Sequence, residues 1–293
     1  MCDGQLRTFA EFLSEMEGDP KYPIVERIFS AAPEICTAVS ANYREDQLFP
    51  EFRITPSLIP SAEGVSYVMH ISEGMVRHCI NLPYPPAHLL IDWPPDHPIN
   101  PMFVAESFFA WVVAHEWFHI VHDHDGVLRV LPEQIDLAQA ALSVEHDADL
   151  CAAALVYRFI QNIYQRQMGN LNVRKLTFFV LYWGIRTLNP PVEQTGHTAL
   201  AARLLHIIMK LSMVSDGDEG GDYDAVRPET RQRSEELTSL AMDCEEYYQS
   251  NILDSPEAMS WIHEWHRGLQ DDGDYGQIVE TWSEVNDYVV RPD

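Results

Sequence analysis

The apolar positions change their period near residue 101. From there to the C-terminus they recur every three to four residues, which predicts helices over about 102–123, 133–167, 173–188, 197–214, 228–250, 256–269 and 276–289. Residues 1–50 also read as mainly helical, with breaks at Gly18-Asp19-Pro20 and near Pro33. Between them, nine prolines from Pro56 to Pro101 punctuate short runs. Two of these, VSYVMHIS (65–72) and GMVRHCINL (74–82), predict strands joined by a tight turn at Glu73-Gly74, and HLLIDW (88–93) predicts a further strand. The expected fold is therefore α+β and predominantly helical, with a small sheet preceding the helix at 102–123. Three regions are expected, an α+β part (1–100), a helical core (101–214) and a C-terminal helical part (225–293), packed as one globular unit.

Composition narrows the partners. With 46% hydrophobic residues in 293, the chain can bury a substantial core. Nineteen Lys+Arg against 45 Asp+Glu leave a formal charge of -26, a mean field that repels nucleic acid and anionic membrane surfaces, so neither is expected as a partner. The longest apolar stretches, Phe103 to Val113 and Leu176 to Leu188, are shorter than the ~20 residues of a membrane span. The opening MCDGQLRTFAEF lacks the basic start and apolar core of a signal peptide, and no lipobox precedes Cys2, so a cytoplasmic location is expected. Five scattered cysteines without a CxxC pair point to reduced thiols rather than disulfides or a thiolate metal cluster. The acidic, Gly-rich SDGDEGGDYD (215–224) reads as a mobile connection; its twelfth position counted from Asp216 is Arg227, not the Glu of a calcium loop.

The candidate chemistry lies in VVAHEWFHIVHDHD (112–125). His115-Glu116-Trp117-Phe118-His119 is an HExxH motif, whose imidazoles at i and i+4 share one face of a helix and can grip one metal ion. Apolar residues wrap this helix nearly all round, and titratable groups in such a place are costly unless coordinated or paired. A chance match has a probability on the order of a few per cent in a chain with this many histidines. Trp261-Ile262-His263-Glu264-Trp265-His266 is a near miss, with its second His at i+3. A second segment changes the weighing: Glu145 and Asp149, also i and i+4, stand on an apolar stripe of a helix rich in Ala and Leu. A catalytic zinc takes three protein ligands and keeps an open position. Glu145 is the expected third ligand beside His115 and His119, with Asp149 accepting the other ring N–H of His115. The bland alternative for Glu145 and Asp149 is a salt-bridged helix interior with Arg158 or Arg203. A rival ligand set uses Asp125, at the last-ligand position of HExxHxxGxxH-type enzymes, although His122 holds the required glycine position. His122 and His124 otherwise read as helix-end groups, with His122 near the cleft.

HExxH followed by Glu-x-x-x-Asp resembles the Glu-zincin metallopeptidases, the broad group that includes thermolysin. Glu145-His146-Asp147-Ala148-Asp149 is similar to the ExxAD pattern of the CAAX-prenyl-protease and HtpX group. Gly196-His197 to Arg203 resembles that group's HPxxxxR segment, with Thr198 in place of Pro. The resemblance implies a zincin-like core and places His197 and Arg203 at the active site, where they help bind the substrate carbonyl. It spans about a third of the chain and lacks the membrane-spanning helices of those relatives; the phage-exclusion peptidases of the Lit type are a soluble group it is similar to. The expected activity is a zinc-dependent endopeptidase acting on a cytosolic protein, with Zn2+ at His115, His119 and Glu145, Glu116 as general base, and His197, Arg203 or a tyrosine such as Tyr182 steadying the oxyanion. A metal-binding regulatory or immunity module, or a zinc hydrolase of a non-peptide amide, are the alternatives.

Overall fold

A computed structural model describes residues 6–41, 49–93, 99–188, 200–217, 227–253 and 274–289, apart from the side chains of 201–202, 253 and 274–279. Helices α1 (Phe9–Glu15) and α2 (Tyr22–Ser40) open the chain, followed by strands β1 (Glu51–Thr55), β2 (Ala62–Val65) and β3 (Val68–Ser72). Then come α3 (Glu73–Ile80), a 3-10 turn (Ala87–Leu89), α4 (Pro101–Val121), α5 (His124–Val130), α6 (Leu137–Leu188), α7 (Leu200–Met213), α8 (Pro228–Tyr248), a π turn (Gln249–Leu253) and α9 (Asp274–Val285). The sheet has the order β1-β3-β2, with β1 parallel and β2 antiparallel to β3. This is the mostly helical α+β arrangement that the pattern predicts.

Helix α4 is the axis of the fold. Asn100 caps it by accepting from Met102 N at 2.9 Å, Pro101 opens its first turn, and nearly every side chain from Phe103 to Phe118 is buried. Helices α2, α3 and α6 and strand β2 pack around it. Two polar groups on α4 are matched individually: Glu106 meets Arg27 at 2.6 Å, and Trp117 Nε1 donates to Ser40 at 2.9 Å. One apolar core runs from Phe12 on α1 to Tyr248 on α8, while a small satellite joins Val127, Ala140, Val144, Val285 and Val289.

Several local expectations are corrected. Residues 74–82 form helix α3, not a strand: the Ser72 hydroxyl accepts from Met75 N at 3.0 Å as an N-cap, and Met75, Val76, Cys79 and Ile80 bury one helical face. HLLIDW holds a 3-10 turn rather than a strand. Pro33 does not break α2; its cost of ~3 kcal/mol is outweighed by burying Val25, Ile28, Phe29, Ile35, Cys36 and Val39, at roughly 1.5–3 kcal/mol for each large apolar side chain. Strands β1 and β2 and helix α5 are additions. The two helices expected at 133–167 and 173–188 are present, as the two arms of α6 on either side of a break at Gly169, whose φ of 73° suits a residue without Cβ. The break at Gly18 and the helices at 102–123, 228–250 and 276–289 agree closely, whereas of the strand expected at 65–72 only Val68–Ser72 forms β3, because Ser66 and Tyr67, with φ of 48° and 67°, turn the chain back from β2. The helix expected at 256–269 and residues 218–224 of the acidic loop lie outside the described residues.

Candidate metal centre

HExxH occupies the last two turns of α4, where the helical repeat places His115 and His119 one above the other. Helix α6 crosses beside it and brings Glu145 to the same point. His115 Nε2 and His119 Nε2 are 3.1 Å apart, Glu145 Oε2 is 3.3 Å from the first, and Glu145 Oε1 is 3.4 Å from the second. Ligands about 2.0–2.1 Å from a tetrahedral zinc stand roughly 3.3–3.4 Å from one another. The three groups thus form a triangle that can hold a metal ion, and two imidazoles with one carboxylate is a donor set suited to zinc.

Behind the triangle, His115 Nδ1 lies 2.9 Å from Asp149 Oδ1, one turn along α6 from Glu145. Arg203 on α7 grips the same carboxylate with Nε at 2.6 Å and Nη2 at 2.8 Å, and stacks its guanidinium 5.0 Å from the Trp111 ring centre. Burial disfavours the charged form of Asp149, but Arg203 and His115 more than compensate and hold its carboxyl well below the usual range. Burial likewise pushes the His115 imidazole down, yet hydrogen bonds to Asp149 and Glu145 raise it to about 10 in the metal-free protein. His119 moves the other way, to about 3, because it is buried and faces the His115 cation.

Glu116 sits one residue past the first ligand and accepts a hydrogen bond from Gly64 N at 3.1 Å. That contact requires β2 to lie directly on α4: a Cβ on Gly64 would fall 2.9 Å from the Glu116 carbonyl oxygen and 3.0 Å from the Ile120 side chain. Glycine is therefore set by close approach, and it aims one backbone N–H of the sheet edge at the HExxH glutamate.

A second cluster adjoins the first. After α4, Asp123 takes a left-handed conformation (φ 52°) that turns the chain so that α5 starts with His124 facing back toward α4. His124 Nδ1 lies 2.8 Å from His119 Nδ1, and its Nε2 lies 3.2 Å from Asp147 Oδ2. His122 Nδ1 reaches the same oxygen at 2.5 Å. Against the upward push of burial, His122 and His124 hold the Asp147 carboxyl far below its ordinary value, while burial lowers His124. A buried pair, His146 on α6 and His206 on α7, meets Nδ1 to Nδ1 at 2.6 Å.

The structure thus gathers His115, His119, Glu145, Asp149, Glu116 and Arg203. Arg203 is the salt-bridge partner of Asp149, which was the bland alternative for that carboxylate; Arg158 instead serves Gln161 and Ser215. Asp125 is exposed on α5 and belongs to neither cluster. Tyr182 is buried in the core and donates to Glu245, so it is committed elsewhere. His197 lies outside the described residues. The roles of His124 and Asp147 were missed: Asp147 stood in the motif as a spacer, and the only signal was a second buried carboxylate two residues from Glu145. No family model matches the chain, and no curated protein or solved structure shows a match to it.

Proposed function

We propose that the chain is a zinc-dependent peptidase of zincin-like build, hydrolysing a peptide bond of a cytosolic protein. The observation that carries this reading is the triangle of His115, His119 and Glu145, with edges of 3.1–3.4 Å, beside a glutamate that such a site would use as base. Zinc, when bound there, lowers the pKa of water to about 7 and polarises a carbonyl. Glu116 accepts one proton of the attacking water and returns it to the amine nitrogen as the C–N bond breaks; the second proton of that water passes from the new carboxyl group to the amine, leaving a carboxylate and an ammonium group. The Gly64 N–H holds Glu116 beside the triangle, so the base is aimed before substrate arrives. Asp149 accepts at Nδ1 of His115 and so leaves Nε2 as the nitrogen that would face a metal, and Arg203 anchors Asp149.

The substrate class is supported by β2. Among the described residues it is an edge of the sheet and runs past Glu116; with the Gly64 N–H committed to Glu116, the remaining outward backbone groups of β2 are the ones with which an extended peptide can pair. No helix among the described residues is long and apolar enough to cross a membrane.

Incubation of the zinc-loaded protein with a cell lysate, followed by identification of new peptide termini, is expected to yield cleavage products absent with Glu116→Gln. That variant should keep its zinc and lose on the order of 10²–10⁴ in rate, as expected for removal of a general base. Glu145→Ala should lose zinc, and Asp125→Ala should keep it. Undiminished cleavage by Glu116→Gln, or zinc loss in Asp125→Ala alone, would overturn the assignment.

A further inference from the structure

His122, His124 and Asp147 have the composition of a second metal site, and their ligand atoms lie close together. Proton counting along the chain of contacts leads elsewhere. A carboxylate can only accept, so the 3.2 Å contact between His124 Nε2 and Asp147 Oδ2 places a proton on His124 Nε2. His124 is 1% exposed, where a neutral ring is favoured, and a neutral ring then has a bare Nδ1. The 2.8 Å contact between the two Nδ1 atoms needs one proton between them, and only His119 is left to supply it. With its proton on Nδ1, His119 turns an Nε2 lone pair toward His115 and Glu145. The 3.1 Å contact with His115 Nε2 agrees from the other end, since His115 can donate there and His119 accept.

We propose that Asp147, acting through His124, fixes the tautomer of His119 as a metal ligand, and that a metal bound by His124 Nε2 excludes one at His115, His119 and Glu145. The exclusion follows from the same count. A metal on His124 Nε2 forces that ring's proton to Nδ1, His119 must then accept at Nδ1, and its own proton moves to Nε2, where it blocks the triangle. Asp149 and Asp147 are thus parallel devices on one helix: the first orients His115 directly, the second orients His119 through an intervening imidazole. The second half of the proposal rests on the metal reading of the triangle; the tautomer assignment does not. His124 and Asp147 are positioning residues, since neither touches the site where substrate would react.

The test has two arms. In the metal-free chain with 15N-labelled histidine, the ring nitrogen shifts are expected to show His119 protonated at Nδ1 and His124 at Nε2; His119 protonated at Nε2 would overturn the assignment, whether or not the chain binds zinc. In the second arm, zinc affinity is measured by competition with a chromophoric chelator. His124→Leu should weaken binding by roughly 10–100-fold. His124→Asn places an amide oxygen where Nδ1 stood and should restore most of that loss, although it cannot replace Nε2 as a metal ligand. Asp147→Asn should weaken binding in the same direction as His124→Leu. Thermal melts of the metal-free variants separate these effects from failure to fold. Equal losses in His124→Leu and His124→Asn, wild-type affinity in His124→Leu, or two zinc ions per chain would each refute the relay. A wild-type chain with no zinc affinity would instead sink the peptidase reading, with the nitrogen shifts still deciding the tautomer.

Discussion

His115 carries a proton problem that its neighbours create. Burial alone favours a neutral ring, but Asp149 and Glu145 press on it from both nitrogens and raise its pKa to about 10 without metal. A metal ion must displace that proton, whereas His119, lowered to about 3, has none to give up at neutral pH. The sign follows: because the folded, metal-free ring binds a proton at every pH below about 10, acid competes with metal. Zinc affinity measured at pH 6, 7 and 8 should rise about tenfold per unit. A flat profile over this range would show that His115 is neutral before metal arrives. Asp149 also explains why Arg203 cannot be exchanged lightly for an apolar residue, since the carboxylate is 4% exposed and is gripped by both Nε and Nη2.

At the scale of elements, the site is a contact between α4, α6 and β2, and β2 is the least massive of the three. Four residues hold it, and Gly64 is where it touches α4. Gly64→Val should lift the strand from the helix, because backbone oxygen at 2.9 Å from the new Cβ cannot swing aside as a side-chain tip could. The expected result is loss of most cleavage with zinc content preserved, measured by peptide assay and metal analysis on the same sample. Zinc loss together with activity would mean that β2 supports the triangle itself. The elements also mark where pattern reading reached its end. The helix at 102–123 was plain because apolar residues fill every face of it. Residues 74–82 carry buried side chains at 75, 76, 79 and 80, a spacing that belongs to α3, but the turn expected at Glu73-Gly74 is the helix's first turn, capped by Ser72. Strand β1 exists through its pairing with β3 and with Arg7, partners that are remote in sequence.

At the scale of the whole molecule, the triangle that could hold a metal ion joins α4 and α6, which among the described residues are the helices with the most extensive mutual packing. A ligand that binds only the folded state stabilises it by about 2.7 kcal/mol at a hundredfold excess over Kd. Removing zinc with a chelator should therefore lower the melting temperature, by roughly 2–4 °C per kcal/mol for a chain of this size, with the midpoint restored on adding zinc. The drop should be modest rather than complete, because the core from Phe12 to Tyr248 does not depend on the ion. The small satellite core, where α5, α6 and α9 meet, instead backs the His124 side of the site, with Trp282 packed edge-on to His124 at 6.5 Å. Among the described residues, the few buried acids are matched by Arg27, Arg186 and Arg203 or by histidines.

The sequence by itself determined the helical content, the central buried helix, the grouping of His115, His119 and Glu145 at one point, and Asp149 as the neighbour of His115. Each of these rests on periodicity, so that i and i+4 share a face wherever the chain is helical. What only the tertiary structure decided was how faces from different helices meet. The left-handed turn at Asp123 sends His124 back to His119, Asp147 reaches across from α6, Gly64 reaches Glu116 from the sheet, and Tyr182 turns away to Glu245. These contacts join residues whose spacing carries no local period, so their existence depends on the packing of helices and sheet and not on any pattern along the chain.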